Sequence, residues 1–222
     1  SVMRVYIHGN CQAPVLASLI RELHPNWEVR SRPVYIRPSQ DELEDYKTNV
    51  MNAEWVISQW VGNGYYGIDE LSFEWIHEIR HDKGNVIGMP PLFFKGQMPH
   101  AFYLTKDRLD AFPRQVPTPY HNVLVPHFML EGLSDQEISD RLCSQDLYDV
   151  SFVKLKVEEG IRELRRREQF LRDLNKLGPI IPISRLIETD CERRLIGWTF
   201  DHPTRETMTR ICELVLAAMG MP

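Results

Sequence analysis

Arg4-Val5-Tyr6-Ile7-His8-Gly9-Asn10-Cys11-Gln12-Ala13-Pro14 is the stretch that decides the fold of this 222-residue chain. Residues 3–8 are rich in β-branched and aromatic side chains and stop at Gly9, the pattern of a strand entering a sharp turn. From Ala13 onward Leu16, Leu19, Ile20 and Leu23 recur at helical spacing, and Pro14 falls in the first turn, where a missing N–H is harmless. A strand running directly into a helix begins an α/β unit.

The same alternation continues downstream. Residues 28–36 read as a second strand, Ser39 and Glu42 as a capping box for a helix carrying Leu43, Tyr46, Val50 and Met51, and residues 55–58 as a third strand. A loop with Gly62, Asn63, Gly64 and Gly67 then leads to a helix expected over 69–80 and a fourth strand over 85–89. Such alternation implies parallel strands joined by right-handed crossovers, with ligands beyond the carboxyl ends of the strands. The expected fold is one α/β domain over 1–222, a three-layer arrangement around a parallel sheet with extra helices in its C-terminal half.

Those helical additions are expected over about 118–192. Helices are read at 123–130, at 135–143 with Ser134 and Glu137 as cap, at 150–177 with Gly178 and Pro179 as stop, and at 184–191. A short extended segment at 195–199 and an amphipathic helix at 204–219, bearing Met208, Ile211, Val215 and Ala218, complete the chain. The prolines concentrated between Met89 and Pro126 predict long ordered loops.

Composition narrows the function. The chain is 43% apolar and 26% charged, ordinary values for a protein with a sizeable core. A formal net charge of -5 argues against nucleic acid as the main partner, since phosphate binding needs clustered Lys and Arg. The basic stretch 162–172 holds Arg165, Arg166 and Arg167, but alternation with Glu163 and Glu168 makes it a solvated helix face. Cys11, Cys143, Cys191 and Cys212 show neither C-x-x-C spacing nor the density of a disulfide scaffold, so a reducing, cytoplasmic setting is expected. No apolar run approaches the ~20 residues that span a bilayer, and no signal sequence is read.

Chemistry is expected first at Gly9-Asn10-Cys11-Gln12. The N–H groups of a helix's first turn lack internal partners, so they suit an oxyanion, and their field favours thiolate over thiol at Cys11. Asn10 and Gln12 add amide donors, while the plain alternative makes Cys11 a small apolar plug and Gly9 a turn residue. Asp201-His202-Pro203-Thr204 offers a second candidate: His202 as general base, or else an exposed loop histidine beside a helix cap at Asp201 or Thr204. His121, after Pro119 and Tyr120, is a rival base. His77 and His81 have chelating spacing but no third ligand, so no metal is expected. Gln59 at the end of strand three suits ligand contact or a plain turn. Lys95, after Phe93 and Phe94, suits a phosphate beside an acyl or pantetheine chain, or simply edges an aromatic core.

These segments carry a resemblance. On Gly9-Asn10-Cys11-Gln12, Gln59, Pro90-Pro91-Leu92-Phe93 leading to Gly96 and Pro99, Pro119-Tyr120-His121, Leu130-Glu131-Gly132-Leu133-Ser134 and His202-Pro203, the chain resembles the WcbI-like family of capsular polysaccharide biosynthesis proteins. The resemblance implies a coenzyme A binding acetyltransferase with acetyl-CoA as donor, a sugar of a surface or capsular polysaccharide as acceptor, and Cys11 with a histidine in the active site. The layout is also similar to the SGNH esterase plan, with Cys11 replacing serine. An esterase or thioesterase, or a non-catalytic protein that binds coenzyme A or a glycan, are therefore the alternatives, and a homo-oligomer is allowed by all three.

Overall fold

Four parallel strands form the centre: β1 (Arg4–Gly9), β2 (Glu28–Pro33), β3 (Trp55–Ser58) and β4 (Val86–Gly88), in the spatial order β2-β1-β3-β4. The computed structural model describes residues 1–111 and 118–221, so Pro113 and Pro117 of the proline-rich stretch lie outside the described residues. Register is continuous across the sheet, with Ile7 opposite Ile57 and Ile57 opposite Ile87, all three fully buried. Burying a side chain of that size contributes about 1.5–3 kcal/mol. Ile180 adds a parallel bridge at Gly88, where a Cβ would stand 2.3 Å from the Ile180 Cδ1.

Strand alternation sends Val5 and Ile7 to one face and Tyr6 and His8 to the other. The first face is covered by α1 (Gln12–Leu23), α7 (Val150–Leu174), α8 (Ile183–Asp190) and α9 (Arg205–Ala218), which contribute Leu16 and Ile20, Leu164, Ile187 and Ile211. The second is covered by α2 (Gln40–Asn52) and α3 (Phe73–Ile79) through Tyr46, Val50 and Ile76. The three-layer parallel α/β arrangement read from the sequence is thus present. The Ser39 capping box forms with both of its hydrogen bonds, and Thr204 rather than Asp201 caps α9.

Three local readings are corrected. The single helix over 69–80 is broken, because Ser72 accepts from the Trp75 N–H and starts α3 there, leaving Asp69–Leu71 as a separate 3-10 turn. The long helix ends at Leu174 instead of 177, since the Asn175 side chain turns away to donate to the Val86 carbonyl. The loops of the middle region contain structure: β5 (Ala101–Tyr103) pairs antiparallel with β6 (Tyr120–Asn122), and α4 (Lys106–Asp110) lies between them. Helices α5 (Leu124–Leu130) and α6 (Asp135–Leu142) follow close to their expected places. The extended segment before α9 is one arm of a bulged hairpin, β7 (Gly197–Thr199) with β8 (His202–Pro203).

Candidate active site

The turn after β1 is built around the close approach of Gly9 to Gln59. A Cβ at Gly9 would lie 2.6 Å from the Gln59 Oε1, so any other residue there would have to displace the Gln59 side chain. In that space the Gln59 Oε1 accepts from the Asn10 N–H at 2.9 Å. Asn10 then caps α1, its Oδ1 accepting from the Gln12 N–H at 3.0 Å and its carbonyl from the Ala13 N–H at 3.0 Å. Pro14 has no N–H to offer. The expectation of free first-turn donors is therefore narrowed to the Cys11 N–H, because Asn10 satisfies two of the others and proline removes a third.

Gln12 has a different task from the one expected of it. Its Nε2 donates to the carbonyls of Leu92 and Asp201, both at 2.9 Å, and its Oε1 accepts from the Leu92 N–H at 2.9 Å. A side chain used so fully has no donor left for an oxyanion. What it does is fasten Asp201, and with it the β7–β8 hairpin, beside the turn that carries Cys11.

Cys11 sits half-buried at the start of α1. Burial, reinforced by the Asp201 carboxylate, pushes its thiol above the ordinary range, against the smaller opposing pull of its own backbone N–H. This corrects the expectation that the helix terminus alone yields a thiolate. Desolvation and a neighbouring negative charge act in the opposite direction to the one expected.

Asp201 is the hub. Its Oδ2 accepts from the Tyr120 hydroxyl at 3.2 Å, and its Oδ1 accepts from the Thr199 hydroxyl at 2.8 Å and lies 3.2 Å from the His202 Nδ1. Thr199 Oγ1 also stands 2.7 Å from that Nδ1. Since the hydroxyl proton goes to Asp201, the network assigns the ring proton to Nδ1, leaving the lone pair on Nε2 of this partly exposed ring. A base oriented by hydroxyl and carboxylate is the result.

The other expected residues fall around this hub. Lys95 holds its ammonium 5.2 Å from the Phe200 ring and 5.9 Å from the Phe93 ring, and Phe200 in turn packs 5.5 Å from Tyr120. Gln59 is 3% exposed, and its Nε2 has no partner among the described residues. His121 is on the opposite face of β6 from Tyr120: it pairs with Phe102, whereas Tyr120 pairs with Tyr103 and reaches Asp201. Alternation along the strand therefore brings Tyr120 and not His121 to the Asp201 hub. His77 is spent on the Phe73 carbonyl and the Asn175 side chain, and no group of three metal-ligating side chains occurs among the described residues.

Tyr120 and Thr199 escaped the sequence reading. Neither hydroxyl carries a periodic or spacing signal in the sequence. Burial and the Asp201 carboxylate hold the Tyr120 phenol well above its ordinary range, so it stays protonated as a donor. No helix among the described residues is long and apolar enough to cross a membrane.

Comparison with known proteins gives a family. The profile of a family described as the polysaccharide biosynthesis enzyme WcbI matches residues 4–222. A solved structure described as native WcbI, a novel polysaccharide biosynthesis enzyme without a disulfide bond between coenzyme A and one of its cysteines, superposes with a TM-score of 0.77. It shares 18% identity, over 100% of this chain and 71% of that one, and so shares the fold. A protein of Slackia heliotrinireducens described as a candidate SGNH hydrolase aligns over 99% of this chain and 100% of its own at 12% identity, with a TM-score of 0.46. Curated protein sequences yield no match.

Proposed function

The chain belongs to the WcbI family of polysaccharide biosynthesis enzymes, and on that premise we propose that it transfers an acyl group, acetyl in the first instance, from coenzyme A to a hydroxyl of a polysaccharide precursor. The observation that carries the reading is the clamp by which Gln12 draws Asp201, and the His202 that Asp201 orients, to the turn bearing Cys11. A thiol, a base and a carboxylate hub then share the carboxyl-terminal edge of the sheet, where an α/β fold receives its ligands. The fold-level relative named for coenzyme A and a cysteine adds support for the donor.

In the covalent route the Cys11 sulfur attacks the thioester carbonyl, its proton passing to His202 Nε2. The tetrahedral oxyanion accepts from the Cys11 N–H and the Asn10 Nδ2, and collapse expels the coenzyme A thiolate, which takes the proton back. The acceptor hydroxyl then repeats the sequence on the acyl-cysteine: its proton moves to His202, the ester forms, and the Cys11 thiol is restored. The raised Cys11 thiol favours a second route, in which His202 deprotonates the sugar hydroxyl and transfer is direct. Intact-mass measurement after rapid mixing with acetyl-CoA separates the routes. An acetyl adduct on Cys11 is expected from the first, and an unmodified chain during single-turnover transfer rules it out. Steady thioester loss to water, indifferent to added sugar, would replace the transferase reading with a thioesterase.

A further inference from the structure

The loops that follow β2 and β3 carry an aromatic patch that no step of the proposed transfer uses. Tyr35, Ile36, Tyr65 and Tyr66 stand 48%, 49%, 38% and 42% exposed, grouped on two neighbouring loops rather than scattered singly. Both loops begin at the Cys11 turn. The Val34 N–H, one residue before Tyr35, donates to the Gly9 carbonyl at 2.8 Å. The Gln59 N–H, at the start of the loop that reaches Tyr65 and Tyr66, donates to the His8 carbonyl at 2.9 Å.

The patch is held in shape from both sides. Tyr66 donates its hydroxyl to the Tyr35 carbonyl and so joins the two loops across the end of β1, which lies between β2 and β3. It does so from a left-handed backbone, φ 55° and ψ 19°, between Gly64 and Gly67, which share that region. Glycine adopts such a conformation freely, whereas tyrosine there costs backbone energy, a cost that persists where a side chain has a task. Tyr65 meets Tyr66 edge to face at 4.9 Å. On the other loop the Arg32 guanidinium donates to the carbonyls of Ile36 and Arg37 and to the Glu42 carboxylate.

Charge narrows the occupant. Arg32 is committed to its own loop, and Arg37 is outnumbered by Asp69 and Glu70 just beyond the tyrosines, so a polyphosphate is disfavoured. A neutral ring with polar edges fits better, because the C–H groups of a pyranose lie on the electron-rich face of an aromatic ring while its hydroxyls stay wet. We propose that Tyr35, Tyr65 and Tyr66 form a stacking platform for the sugar rings of a glycan chain, beside the turn that bears Cys11. Resting on the transfer reading above, the chain bound there is the acceptor, and the platform holds it while one of its hydroxyls enters the site.

Binding is measured on a printed array of bacterial capsular polysaccharides, de-O-acetylated by mild base, with the wild type, Tyr35→Ala, Tyr66→Gly and Tyr66→Phe. Glycine suits the backbone at position 66, so Tyr66→Gly removes the ring without adding strain, and far-UV circular dichroism checks that the fold is kept. The wild type is expected to retain a subset of the polysaccharides. Tyr35→Ala and Tyr66→Gly should bind them about tenfold more weakly, the effect of one lost ring contact, and Tyr66→Phe, which keeps the ring, should lose less. Wild-type binding that Tyr35→Ala and Tyr66→Gly leave unchanged overturns the proposal, as does a wild type that retains none. Self-association in sedimentation that Tyr66→Gly abolishes assigns the patch to a second copy of the chain and overturns it too. Acetyl transfer from acetyl-CoA to the retained polysaccharide then separates the two readings. Ring-dependent retention without transfer defeats the acyltransferase and keeps the glycan platform, whereas transfer at equal KM in wild type and variants defeats the platform and keeps the acyltransferase.

Discussion

At the amino-terminal edge of the sheet, the fully buried Arg80 spends its guanidinium on the carbonyls of Val50, Ala53, Glu54 and Gly84, closing the ends of α2 and the approaches to β3 and β4. At the carboxyl-terminal edge His8 and Gln59 are just as buried, yet His8 Nδ1 and Gln59 Nε2 have no partner among the described residues. Buried polar groups are satisfied wherever stability alone decides. The contrast teaches that one edge is a seal and the other leaves buried polar atoms, an N–H donor on Gln59 and the lone pair of His8 Nδ1, without partners among the described residues at a cost in stability.

If that division is right, substitutions at the two edges should separate folding from activity. Arg80→Ala should produce the largest loss of stability, about 3–5 kcal/mol, because it leaves the buried carbonyls of Val50 and Ala53 without that donor and empties the space of a fully buried side chain. Urea unfolding checks it, and a loss below 1 kcal/mol would break the contrast. Cys11→Ala should do the reverse, leaving the urea midpoint nearly in place while the proposed acyl transfer falls about 10³-fold on the covalent route and much less on the direct one.

A smaller effect sharpens the picture at His8, whose Nε2 lies 2.7 Å from the Leu71 carbonyl and whose ring is pushed by burial from 6.5 down to about 4. The unfolded chain binds a proton there before the folded one does, so stability falls as pH drops from 6.5 towards 4, by about 3 kcal/mol once below both values. Replacing His8 with Gln should flatten this limb of the stability profile against pH. An unaltered limb would place the acid sensitivity elsewhere.

The smallest effect concerns Cys11 itself. Burial and then Asp201 raise its thiol, so Asp201→Asn should move the alkaline limb of Cys11 alkylation to lower pH and make the thiol more reactive near neutrality. Peptide-resolved iodoacetamide labelling measures this against the exposed Cys143. A limb that stays in place would separate Asp201 electrostatically from the sulfur.

Much of the fold was legible because its elements announce themselves locally. Val5 and Ile7, Leu16 and Ile20, and the Ser39–Glu42 box each carry a period or a spacing that survives without tertiary context. The hairpin of β5 and β6 was not, since three-residue strands are too short to show alternation and their pairing joins distant segments. Ser72 starts α3 through a local hydrogen bond from the N–H three residues on, a cap that reading one helix over 69–80 passes over.

The site divides in the same way. Cys11, Asn10 and His202 stand at element junctions, where backbone geometry can be foreseen. Tyr120 enters through a partner 81 residues away, and Gln12 acts through partners 80 and 189 residues away. The sign of the Cys11 perturbation was lost for that reason: the burial that chiefly raises it, and the Asp201 carboxylate that adds to it, both come from packing in three dimensions.

The Gln12 clamp also sets a timetable. Asp201 is translated 189 positions after the amide that grips it, a delay of roughly ten to forty seconds at ordinary elongation rates. Until then the emerging polypeptide carries the Cys11 sulfur without the Asp201 carboxylate or the His202 ring. The completed surroundings of Cys11 are therefore denied to every unfinished copy on the ribosome, and closing the last hairpin is the event that supplies them.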